Sequence, residues 1–431
     1  GSAKALTDQS AEKAVTVFNS LGFARKELVS LPECFASGAE TADGEPIPVQ
    51  AAQGTVKALV TIPSCGAVTL VPCETAGSLP EGASIAVTED GYRMENALIA
   101  AEINRNGEVT SFVLKGSGRE FAASPMNRFR MYKDVPRMFD AWDIDSNYVD
   151  QEVEAAADIT TEILAEGLEA VLRVKGRIGS SFFTQDIRLR ADSRRLEFET
   201  EIDWRELHRL LKTVFPADVY AENGINEIQF GYVERPAHRS RQYDKDRFEV
   251  CNHRYSALCD GSHGAAVLND CKYGISMNAN ALELTLLRAA ASPEMRADNK
   301  IHRFTYGFTA WEGSFTDSDV VKQGYELNVK PLITAGSTKT FRAVQVEKEN
   351  VILDTLKPAE DGSGDLILRL YESKKASVST RVACGFGGCR AYLCDMLENA
   401  EEEIPMENGG IRLEFKAFEV KTVRVQTGLH T

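Results

Sequence analysis

The sequence predicts an all-β protein. Three observations carry that prediction. Period-2 alternation of apolar and polar residues dominates from residue 14 onward, and Gly, Pro, Asn and Ser clusters punctuate it at short intervals. Helical periodicity is confined to residues 3–13. A chain of 431 residues exceeds one ordinary core, so two or three units are expected.

Residues 3–13, "AKALTDQSAEK", read as a short polar helix with almost no apolar face to bury. It reads as the end of an upstream helix bundle, and Gly1-Ser2 as a tag remnant. Residues 14–91 give short strands, "VTVFN", "KALVTI" and "AVTLVP", the pattern of a small β-sandwich of immunoglobulin-like size. At residue 92 the strands lengthen. "ALIAAEINRNGEVTSFVLK" is two strands joined at Asn106-Gly107, a strong hairpin signal. "EAVLRVKGRIG", "SFFTQDIRLR" and "RRLEFETEIDW" follow, and 92–345 holds enough long strands for one large two-sheet sandwich. From 346 to 431, "DLILRLYES", "IRLEFKAFEV" and "KTVRVQ" make a last small β-sandwich.

Composition excludes several classes. Sixty-four acidic against forty-nine basic residues give a formal charge of −15, which repels a phosphate backbone and argues against nucleic acid. No apolar run approaches about 18 residues, so no membrane helix is expected, and no signal peptide is read. Nine cysteines at irregular spacing read as free thiols of a reducing cytoplasm. "CGFGGC" at 384–389, with Cys394 following, lacks a neighbouring histidine and is not a zinc pattern. No nucleophile elbow, P-loop, H-E-x-x-H or dinucleotide fingerprint occurs.

Three stretches carry candidate chemistry. In "NRFRMYKDVPRMFDAWDIDSNYVD" (127–150), Asp134, Asp140, Asp143 and Asp145 alternate with Tyr132, Phe139 and Trp142. An indole flanked by carboxylates suits a sugar, covering its C–H face while the acids accept hydroxyl protons. A turn cluster capped by a core tryptophan fits the same composition. In residues 230–255, Glu249 with His238 or His253 would serve as acid and base, but such a charge-rich run also fits a salt-bridged network. In residues 284–308, Arg288 ends an apolar strand, where its rigid fork of donors would hold a hydroxyl or carboxylate.

Taken together, "MENALIAAEINRNGEVTSFV" (94–113), "RMYKDVPRMFDAWDID" (130–145), "LEFETEIDWRELHRLLKTVFP" (196–216), "IQFGYVERPAHR" (228–239), "RFEVCNHRY" (247–255), "VLNDCKYG" (267–274) and "HRFTYGF" (302–308) resemble the C-terminal β region of glycoside hydrolase family 38, the α-mannosidases. "VFNSLGFARKELV" (17–29), "LILRLYES" (366–373) and "LEFKAFEVKTVRV" (413–425) extend the resemblance. It implies a galactose-mutarotase-like supersandwich over 92–345. It also implies an upstream catalytic barrel and helix bundle, partners of this chain, that carry the zinc ligands and the aspartate nucleophile. Catalytic residues and metal ligands are therefore expected to be absent here, with zinc in the full-length enzyme. Tyr132 and Arg288 fall where the family lends side chains to the rim of the sugar site. Asp140, Trp142 and Asp143 join them by the stacking argument. The implied ligand is an α-mannoside oligosaccharide; self-association is left open. The rival readings are a free-standing mutarotase-like epimerase and a carbohydrate-binding module.

Overall fold

The computed structural model describes residues 2–11, 13–52, 54–75, 77–78, 81–153 and 156–427. Strands dominate them, and three α-helices occur among them: Ser2–Ala5, Gln242–Asp246 and Val320–Asn328. The all-β expectation holds, in the form of stacked sheets. The contacts divide the chain into two compact units. One comprises residues 80–228 and 233–328, the other 1–79, 229–232 and 329–431.

The first of these is the large sandwich, built from three antiparallel sheets. A five-stranded sheet spans Ser84–Val87 to Arg119–Glu120. A six-stranded sheet runs in the order Glu152–Val153, Arg128–Lys133, Arg209–Pro216, Ala281–Arg288, Gly274–Asn278, Val250–Cys251. A nine-stranded sheet includes Glu169–Ile178, Ser181–Arg190, Leu196–Asp203 and Ile301–Glu312. Their inner faces meet in one core. Phe112, Phe215 and Phe308, one from each sheet, are fully or almost fully buried, with ring centroids 5.0 and 5.6 Å from Phe308. The strand Leu196–Asp203 shows why the sequence was readable. Its residues alternate between buried and less buried, the period that a sheet with one face on a core imposes. The Asn106-Gly107 hairpin forms as expected. Gly107 sits at φ +79°, where glycine is favoured, and the Asn104 side chain accepts from the amides of Asn106 and Glu108.

The other unit holds two smaller cores. Val17, Phe35, Val60 and Leu70 belong to one, and Leu368, Leu370, Val382 and Val423 to the other. Two expected boundaries differ from the structure. Ser84–Val87 pairs with Gly91–Glu95, Val87 opposite Tyr92, so a division between 91 and 92 would leave a sheet's edge strand on the wrong side. Residues 332–342, expected in the large sandwich, pair elsewhere: Phe18 lies opposite Leu332 and Ala67 opposite Phe341. These are ladders between residues some 300 positions apart, which local pattern does not reveal.

The opening helix is also shorter than expected: among the described residues up to 13, only Ser2–Ala5 is helical. Asp8 is drawn off the helical path by paired backbone bonds to Ser337, of 2.7 and 3.0 Å. Its carboxylate accepts from the amide and hydroxyl of Ser10, a local turn that competes with helix.

Candidate functional site

Three neighbouring strands of the six-stranded sheet end together. Lys133 lies opposite Arg209, and Leu210 opposite Arg288. From that edge leave the loops 134–145, 204–208 and 289–300. The Asp134 amide donates to the His208 carbonyl (3.0 Å), and the His208 amide to the Ala289 carbonyl (2.7 Å). The Trp204 indole donates to the Arg288 carbonyl at 2.8 Å.

Arg288 organises the first of these loops. Its Nε donates to Asp134 Oδ2 at 2.7 Å, and Asp134 is only 3% exposed. Its Nη2 donates to the carbonyls of Asp140 (3.1 Å) and Asp143 (2.7 Å), and Nη1 to that of Ala141 (3.5 Å). The planar fork thus spans both ends of the segment 134–143, which a point-charge lysine cannot do.

Asp140 ties the same loop to the other two. Its Oδ2 accepts from the amides of Ala291 (2.7 Å) and Ser292 (3.1 Å) and lies 3.1 Å from His208 Nε2. Burial disfavours the charged form, but these amides and the imidazole outweigh it, holding the Asp140 carboxyl below its ordinary range. Phe139 beside it adopts φ +53°, the left-handed region. Its carbonyl accepts from the amides of Trp142 and Asp143, closing a tight turn. The turn presents Trp142, 71% exposed, to solvent. Val135, Met138 and Phe139 on this loop, Leu207 on the second and Met295 on the third are exposed too, as is Ile301 just beyond it.

A second anchor holds the far end of the loop. The 3-10 turn Ser146–Asp150 places Tyr148 against Tyr132, rings edge to face at 5.0 Å, over Leu210. Behind them Lys212 is fully buried and ion-paired with Glu249. Lys212 Nζ also donates to Ser276 Oγ (2.9 Å) and to Tyr148 Oη (3.3 Å). The Tyr148 hydroxyl donates to Glu249 Oε1 at 2.6 Å. Burial, then the Glu249 carboxylate, raises the Tyr148 phenol above its ordinary range, so it remains a donor.

The structure therefore brings Asp140, Trp142, Asp143 and Arg288 to one edge, with different roles. Trp142 faces solvent. Asp143 is exposed and meets Arg288 through its carbonyl. Arg288 spends its donors on the loop, so it holds the loop and does not reach out from it. Tyr132 is a correction: at 1% exposure it lies beneath the loop, not on a rim. Met131 and Tyr132 are both buried because loop residues cover the face that alternation assigns to solvent. The acid–base pairing of Glu249 with His238 or His253 finds no support either. Among the described residues neither histidine bonds to Glu249, which is committed to Lys212, Tyr148 and Thr285. Lys212 itself escaped the sequence reading. Its signal was a lone cation inside the apolar run "LLKTVF", whose six residues are all buried.

No three His, Cys, Asp or Glu side chains converge as a metal site among the described residues. No described helix is long and apolar enough to cross a membrane.

A large multi-sheet sandwich with smaller sandwiches defines the structural class first. An α-mannosidase from Enterococcus faecalis V583 superposes with a TM-score of 0.76 at 15% identity, over 98% of this chain and 57% of that one, a likeness of fold alone. Sequence carries the second step. Residues 94–296 match the "Glycosyl hydrolases family 38 C-terminal domain" and residues 350–423 the "Glycosyl hydrolases family 38 C-terminal beta sandwich domain". Human alpha-mannosidase 2C1 is 32% identical over 431 aligned residues, which take in 95% of this chain and 39% of that protein. Alpha-mannosidase G of Dictyostelium discoideum is 32% identical over 364, with 77% of this chain and 32% of that protein. The chain belongs to the C-terminal region of glycoside hydrolase family 38. It spans about two-fifths or less of the length of these curated relatives.

Proposed function

We propose that this chain is the C-terminal β portion of a retaining α-mannosidase that hydrolyses terminal α-mannosides, and that its Trp142 loop lines the rim of the sugar site. The observation that carries the reading is a solvent-facing indole on a loop fixed at both ends, in a chain of this family. Trp142 would cover the C–H face of a pyranose and exclude water there, and Asp143 would accept a hydroxyl proton. Arg288 and Asp140 position both. The zinc and the nucleophile belong to the catalytic domain, the partner of this chain, which docks on the exposed apolar side chains of the three loops. Nine free cysteines suit the cytoplasm.

The test is hydrolysis of an aryl α-mannoside by this purified chain, with metal content measured on the same sample. The expected result is no turnover and no stoichiometric zinc. Chelator-sensitive turnover by the chain alone would overturn the division of labour.

A further inference from the structure

The strand Arg209–Pro216 runs away from the Arg288 edge for eight residues, about 25 Å at some 3.3 Å each. At its far end the loops 217–222, 237–240 and 279–280 border a half-open cavity of about 680 Å³. Its floor is apolar and rigid. Val219 and Ala237, 2% and 1% exposed, are part of the main core. One wall is Tyr220, 80% exposed although it lines a concave site.

The three loops are laced by backbone bonds. The Ala217 amide donates to the Asn280 carbonyl (2.9 Å), that of Ala237 to Glu222 (2.8 Å), and that of Ala279 to Ala237 (2.6 Å). The cavity is therefore preformed. Its polar rim differs from the Arg288 edge, where most groups are already bonded. Among the described residues the side chains of Asp218, Tyr220, Glu222 and Asn280 make no hydrogen bond or ion pair within the chain. His238 on the same rim accepts the Ser240 amide at Nδ1 (3.4 Å), and that nitrogen lies 3.8 Å from Asp244 Oδ2.

These groups select a ligand class. Two carboxylates repel an anion. A metal ion needs convergent oxygens, and no such grouping occurs among the described residues. An apolar floor with an aromatic wall suits a C–H face, and interleaved donors and acceptors suit vicinal hydroxyls. We propose that this cavity is a carbohydrate site in its own right, for one or two neutral pyranose rings, in addition to the one proposed at the Trp142 loop. The choice of mannose as its sugar rests on the function proposed above; the site itself rests on the cavity.

Saturation-transfer NMR on this chain tests it, with methyl α-mannopyranoside, an α-linked mannobiose, cellobiose and methyl β-galactopyranoside as probes. The expected result is millimolar binding of the mannosides, weakened about fivefold or more in Tyr220→Ala and in the Asp218→Asn/Glu222→Gln double variant. Tyr220 is exposed, so its replacement leaves the fold intact. Binding unchanged in Tyr220→Ala, or no binding of any probe, overturns the site. Tyr220-dependent binding of cellobiose or the galactoside without the mannosides keeps the site and overturns the mannose reading.

Discussion

Glu249→Leu is expected to lower the unfolding free energy by about 3–5 kcal/mol, the usual cost of leaving a buried charge without its partner. Lys212 is fully buried, and Glu249 is its ion-pair partner. Ser276 and Tyr148 remain as acceptors, but neither supplies a countercharge. Lys212→Met is expected to cost less, because Glu249 keeps 13% of its side-chain surface in water and retains Tyr148 and Thr285 as donors. The double variant, apolar at both positions, should recover much of the loss, since a buried pair is often replaceable by well-packed apolar groups. Urea denaturation of the four proteins reads all three effects. Equal, additive losses would mean that the pair is not coupled and that the loop's second anchor is misassigned.

Arg288→Ala is the second large effect, again about 3–5 kcal/mol. It strips the buried Asp134 carboxylate of its partner and three loop carbonyls of their donor. Arg288→Lys should rescue only part of this. An ammonium can neutralise Asp134 but cannot also span the carbonyls of Asp140 and Asp143. Because the loss is local as well as global, limited proteolysis within 135–143 should accelerate in both variants. A loop as protease-resistant in Arg288→Ala as in the unaltered chain would show that Arg288 does not hold it.

Much of this was legible in the sequence, and the reasons are specific. Where one face of a strand meets a core and the other is less buried, as in Leu196–Asp203, alternation reports structure directly. The Asn106-Gly107 turn is legible because few dipeptides so readily supply its backbone. What escaped was set by distant chain. Val15–Asn19 finds Leu332–Ala335, and Asp8 finds Ser337, so a helix was expected too long and a domain too long at one end. The site divides the same way. Trp142 and the aspartates stood out by composition, and Arg288 by its place at a strand end. Tyr132 was misread because residues 144–149 and Phe248 cover the second face of its sheet. The Tyr220 cavity gave no sequence signal, because its three loops lie tens of residues apart and each is unremarkable alone.

The central claim is that the Trp142 loop lines a mannoside site in the joined enzyme. The most direct measurement is kcat/KM for an aryl α-mannoside in the enzyme that carries this chain with its catalytic domain, comparing Trp142→Ala with the unaltered protein. Trp142 is 71% exposed in the chain, so the unfolding midpoint should not move. The expected result is a fall in kcat/KM of about fivefold or more, from loss of aromatic contact to the sugar. An unchanged kcat/KM would contradict it.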